Sequence, residues 1–91
     1  ASLCEQCLAQ IDRCLRAPTQ KNLAALEPIE SKLKATARTI APLTLATQHQ
    51  LTVIVSRTPA VKDLKGSLAL SRTLYAVIGT EAKALLQAFN D

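Results

Sequence analysis

The sequence predicts an all-α fold: an antiparallel three- or four-helix bundle of long amphipathic helices. Three observations carry that expectation. Apolar residues recur at steps of three and four along most of the 91 residues, the mark of a helix with one buried face. Hydrophobic residues make up 48% of the chain, too many for a disordered tail. There are 2 glycines and 4 prolines, far fewer turn residues than a β-sandwich or barrel of this size needs. Aromatics are limited to Tyr75 and Phe89, and Trp and Met are absent. The core is therefore expected to be Leu, Ile, Val and Ala. The length predicts a single domain, 1–91.

The first helix is expected over about 2–16. Cys4, Leu8, Ile11 and Leu15 fall on one face, with Cys7 and Cys14 beside it. Ser2 can cap the start, with Glu5 three residues on in the capping-box position. Ala17-Pro18 ends the helix, because a residue before proline is pushed out of the α region.

The second helical stretch is expected over about 19–57, interrupted at Pro28 and Pro42. Thr19 is its N-cap candidate. Leu23 and Leu26 begin the stripe. Pro28 either opens a new helix at its first turn or kinks a continuing one. Beyond it Ile29, Leu33, Ala37, Ile40, Thr44, Thr47, Leu51 and Ile54 hold the phase through Pro42. Residues 51–55 are β-branched enough to suit a strand, but a single unpaired strand has no independent stability.

The third helix is expected over 59–90, opened by Thr58 as N-cap and Pro59 at the first helical position. Val61, Leu64, Leu68, Ser71, Tyr75, Ile78, Ala82, Leu85 and Phe89 step by three and four, the rhythm of a coiled-coil seam. The stripe crosses Gly66 and Gly79, each costing about 1 kcal/mol against Ala in a helix interior.

The formal net charge is +4, from 11 basic and 7 acidic residues with no long block of one sign. That gives a weak pull on anionic partners. No apolar run reaches the ~20 residues that a membrane span needs, and Glu5, Gln6, Gln10, Asp12 and Arg13 interrupt any would-be signal segment. An odd set of cysteines, Cys4, Cys7 and Cys14, is confined to the first 14 residues. A secreted disulfide scaffold would spread an even set through the chain, so the expected location is cytoplasmic, a reducing compartment. The chain begins at Ala1 and contains no Met, which reads as a processed product or a piece of a longer protein.

Few residues point to chemistry. Two cysteines three apart on a helix can bind a soft metal, but a second such pair is missing and His49 is the single histidine. The cysteines are expected to pack as small apolar residues. His49 lies in a polar run, Thr47-Gln48-His49-Gln50, with no neighbouring acid to orient it. No phosphate loop, HExxH motif or carboxylate pair is present. The expectation is a non-enzymatic chain with no catalytic, cofactor-binding or metal residues.

Leu64-Lys65-Gly66-Ser67 resembles the HxxKGS core of histidine phosphotransfer domains, which are helical bundles of similar size. In that family the phosphorylated histidine lies three residues before the lysine, and here that place is held by Lys62. The resemblance spans four residues and implies at most a degenerate member unable to carry phosphate. In its Ala-, Leu- and Thr-rich composition the chain is also broadly similar to the rod bundles of cytoskeletal adhesion proteins.

Two sets of basic residues, Lys32, Lys34 and Arg38, and Lys62, Lys65 and Arg72, are spaced to form stripes that would attract phosphates. Aromatics for stacking on single strands are nearly absent, so a nucleic-acid-associated module is the alternative rather than the leading expectation. The leading one rests on a surplus. Leu70, Leu74, Val77 and Leu86 lie off the third seam, and a small bundle does not need both lines. These four residues are the expected partner-binding face, meeting a protein partner or a second copy helix against helix.

Overall fold

The computed structural model describes the backbone of residues 3–39 and 57–90, and the side chains of 3–37, 57–81 and 83. Within them the fold is all-helical: α1 (Leu3–Arg16), α2 (Gln20–Thr39) and α3 (Leu64–Asn90). Pro42, His49 and the β-branched run 51–55 lie outside the described residues, as does Ser2.

α1 packs against both α2 and α3, and this central position widens its buried sector. The residues fully covered are Cys7, Ile11 and Cys14. Cys4, Leu8 and Leu15, expected on the centre of the stripe, flank the core half-buried. The face is thus turned by part of a residue step toward the cysteines, because α1 has a helix on either side rather than a single partner. Gln10 is also buried. Its Nε2 donates to the Asn22 carbonyl at 2.9 Å, and Arg13 donates to its Oε1 at 3.0 Å. A buried amide is thereby satisfied and α1 is pinned to the start of α2.

The turn between α1 and α2 follows the sequence closely. Ala17 N–H still bonds the Arg13 carbonyl at 2.9 Å, so the helix ends directly before Pro18. Thr19 caps α2: its Oγ1 accepts the Asn22 N–H at 3.2 Å and its carbonyl accepts the Leu23 N–H at 3.0 Å, the N-cap pattern. Asn22 Nδ2 reaches back to the Ala17 carbonyl at 2.8 Å. α2 then runs through Pro28 without a break, so of the two sequence readings the proline inside one continuing helix is the one realised. Its buried line is Leu23, Leu26, Leu33 and Ala37, with Glu30 between them. Ile29 is only partly covered.

The third helix starts five residues later than expected. Thr58-Pro59 forms a turn instead of a cap, closed by the Val61 N–H on the Thr58 carbonyl at 3.0 Å. Proline at the second position of such a turn is as favourable as proline at a helix start, which is why the sequence alone does not separate them. The working cap is Asp63. Its Oδ1 accepts the Gly66 N–H at 3.2 Å, and its carbonyl accepts the Ser67 N–H at 3.0 Å. A Cβ on Gly66 would lie 2.5 Å from the Asp63 carboxylate, so the glycine makes room for the cap. From there α3 buries Leu68, Ser71, Tyr75 and Ile78, the expected seam. Gly79 lies against α1, where a Cβ would sit 3.5 Å from Cys4 Cβ.

Candidate functional site

The centre of the fold holds a polar knot that the apolar stripes do not announce. Glu30 on α2 is 8% exposed. Its Oε1 accepts Arg57 Nη1 at 2.5 Å, and its Oε2 accepts the Tyr75 hydroxyl of α3. Arg57, from the segment leading into α3, also donates Nε to Ser67 Oγ at 2.9 Å and Nη2 to Ser71 Oγ. Its side chain is almost fully covered. Both carboxylate oxygens are therefore occupied, and three of the guanidinium's nitrogens donate. A buried pair of charges is tolerated only when satisfied in this way.

Burial sets the titration of the groups around the knot, and the Glu30 charge adds to it at Tyr75, Cys7 and Cys14. Burial pushes the Tyr75 hydroxyl well above its ordinary value, and the bond to Glu30 and its charge push in the same direction. Burial pushes the Cys7 thiol up to about 12, with the Glu30 carboxylate adding to it. The Cys14 thiol is raised by burial and then by Glu30, and the Cys4 thiol by burial and then by Glu5. All three cysteines are free thiols. Thiols held protonated are weak nucleophiles and weak metal ligands, and among the described residues no group of three His, Cys, Asp or Glu side chains could hold a metal ion.

The residues of the two expected basic stripes fall in different surroundings. Lys34 is buried, one turn from Glu30 on α2, and Arg72 is paired with Asp12 of α1 at 2.8 Å. Lys32, Lys62 and Lys65 stand in solvent, and the Arg38 side chain lies outside those described. Lys62 sits in the turn before α3 rather than on a helix. Between the end of α1 and the start of α3 lies a cleft of about 180 Å³, lined by Cys14, Leu15, Pro18, Leu64, Lys65 and Leu68.

The face expected to bind a partner is placed as follows. Leu70 is 75% exposed and Val77 42% exposed, the two large hydrophobics left open among the described residues. Leu74, between them, is half-buried against the core. Leu86 is in α3, beyond the described side chains. An open groove of about 420 Å³ follows the outer side of α3, with Val77 and Glu81 in its lining. Glu81 Oε2 is shielded from solvent and has no hydrogen-bond partner.

No family model matches the chain, and no curated protein or solved structure matches it. No described helix is long and apolar enough to cross a membrane.

Proposed function

We propose that the chain is an antiparallel helical bundle that works as a non-enzymatic protein-interaction module, docking a helix on the outer face of α3. The observation that carries this reading is Leu70, a leucine left 75% exposed on a regular helix, with Val77 two turns along the same face. Fully burying an exposed leucine or valine is worth about 1.5–3 kcal/mol; with 75% of Leu70 and 42% of Val77 still open, covering them supplies a part of that for each, most of it at Leu70, in a helix-on-helix contact. Half-buried Leu74 joins this face to the core, so a docked helix would extend the packing already present. The antiparallel arrangement of α1 and α3 is supported by pairs that run in opposite order: Cys4 by Gly79, Asp12 with Arg72, and Cys14 and Leu15 around the same cleft as Leu64 and Leu68. Free, protonated thiols in the core fit a reducing compartment.

The test is selection of helical peptides from a displayed library against the intact chain. The double variant Leu70→Asp, Val77→Asp serves as counter-target, with sedimentation equilibrium of both proteins alongside. Binders, or self-association, lost in the double variant support the reading, provided its unfolding midpoint stays near that of the parent. Indistinguishable behaviour of the two proteins in both measurements overturns it.

A further inference from the structure

A protein kinase takes its acceptor hydroxyl from a segment that can lie open across its catalytic loop, where an aspartate receives the hydroxyl proton. Most serine and threonine hydroxyls of the described residues do not meet that demand. Thr36, Thr73 and Thr80 donate to carbonyls of their own helices. Ser67 and Ser71 hold Arg57, and Ser31 lies inside α2. Thr19 is off the helices, but its Oγ1 caps α2. Thr58 differs from all of these. It is exposed, it lies in the turn before α3, and its hydroxyl makes no hydrogen bond among the described residues.

Thr58 and Pro59 form the one Ser/Thr-Pro pair in the sequence. Proline brings no N–H, so it can enter an apolar pocket beside the acceptor without stranding a donor there. Residues 58–60 are exposed, and the turn is closed by the Val61 N–H on the Thr58 carbonyl at 3.0 Å. Opening that bond unwinds no helix. Arg57, one residue earlier, is pinned by Glu30, Ser67 and Ser71, which anchors the fold directly behind the turn. We propose that Thr58 is a phosphorylation site for a proline-directed protein kinase. Thr58 Oγ1 bonds to the γ-phosphorus of ATP, the bond from that phosphorus to the bridging oxygen of ADP breaks, and the hydroxyl proton passes to the kinase aspartate. The phosphate takes the formal charge of the chain from +4 to about +2. The site precedes α3 and does not depend on docking at Leu70 and Val77.

The experiment incubates the folded full chain with ATP, magnesium and either a mitogen-activated or a cyclin-dependent protein kinase, and reads intact mass and peptide maps. The supporting result is one phosphate, on Thr58, absent from Thr58→Ala. Pro59→Ala should be modified about tenfold more slowly or worse, the cost of losing a fitted apolar contact. Leu26→Ala separates the native turn from the unfolded chain as the substrate. It removes a covered core leucine and raises the unfolded population about thirtyfold or more. Parent and Leu26→Ala rates within about tenfold of each other support modification of the native turn, whether or not the variant stays folded. A parent slower than that overturns the proposal, since the kinase would then be reading the unfolded chain. Phosphate retained in Thr58→Ala, no loss of rate in Pro59→Ala, or no incorporation by either kinase also overturns it.

Discussion

Replacing Arg57 by methionine should be the most damaging single change in the described fold. The guanidinium supplies one of the two partners of Glu30 and donates to Ser67 and Ser71. Methionine leaves a carboxylate that is 8% exposed and still accepts from the Tyr75 hydroxyl. Stranding one member of a buried pair costs about 3–5 kcal/mol. At ~0.05–0.15 kcal/mol per residue a chain of this length has roughly 5–14 kcal/mol to lose, so the variant keeps a fraction of its stability. The double variant Arg57→Met, Glu30→Leu removes both charges and should be more stable than Arg57→Met alone. Its residual deficit is about 1–3 kcal/mol from the Tyr75 hydroxyl left without an acceptor, and adding Tyr75→Phe should recover most of that. Urea unfolding of the parent, these three variants and Glu30→Leu alone, followed by circular dichroism, gives all five free energies, with equal slopes as the condition for comparing them. A cost for Arg57→Met below about 1 kcal/mol, or single effects that add to within ~0.5 kcal/mol, would refute the argument: the knot would then be solvated and its members independent.

The remaining predictions concern the thiols, the tyrosine and one glycine. Cys7 and Tyr75 hold their protons more tightly in the folded chain than in the unfolded one, where they ionise near about 8.5 and 10. Above about pH 9 the unfolded chain therefore loses protons first. Stability should fall as pH rises, by up to ~1.4 kcal/mol per unit for each group, and Cys7→Ala or Tyr75→Phe should flatten the decline. Because Tyr75 is the single tyrosine, phenolate absorbance reports it alone, and a native midpoint near its ordinary value would contradict its burial. A disulfide reagent at neutral pH should modify half-buried Cys4 in the native state, but Cys7 and Cys14 only at the rate of unfolding; one common rate would count against the assigned burial. Gly79→Ala should raise the urea midpoint by the equivalent of about 0.5–1 kcal/mol, since its Cβ would meet Cys4 at an ordinary 3.5 Å.

Periodicity made the middle of the third helix legible, while Val61 falls before the helix and Ala82, Leu85 and Phe89 lie outside the described side chains. Leu68, Ser71, Tyr75 and Ile78 are buried as the stripe requires, and Thr19 caps α2 as its type suggests. The misreadings have physical causes. Thr58-Pro59 satisfies the rules for a turn and for a helix start alike, and the competition is settled by Asp63, whose carboxylate reaches the Gly66 N–H. On α2, Ile29 drew the stripe to itself because it is apolar. The buried line instead runs Leu23, Leu26, Glu30, Leu33, Ala37, also in steps of three and four. A glutamate at a seam position carries meaning only with its partners in view, and Arg57 is 27 residues away.

Those partners explain why two polar residues interrupt two apolar seams. Glu30 on α2 and Ser71 on α3 both bond to Arg57, while Tyr75, one turn from Ser71, bonds to Glu30. Sliding either helix by one residue along the other would leave a buried charge unsatisfied, whereas leucines at these places would tolerate the slide. Polar residues at seam positions fix register in helical assemblies at some expense of stability. The knot thereby sets which faces of α3 point inward and outward. With Tyr75 committed to Glu30, Leu70 and Val77 have no route into the core. Any slackening of the knot should therefore blur the outer face of α3 as well as weaken the fold; on the docking function proposed above, Arg57→Met should then lose helix binding at Leu70 even under conditions where it stays folded.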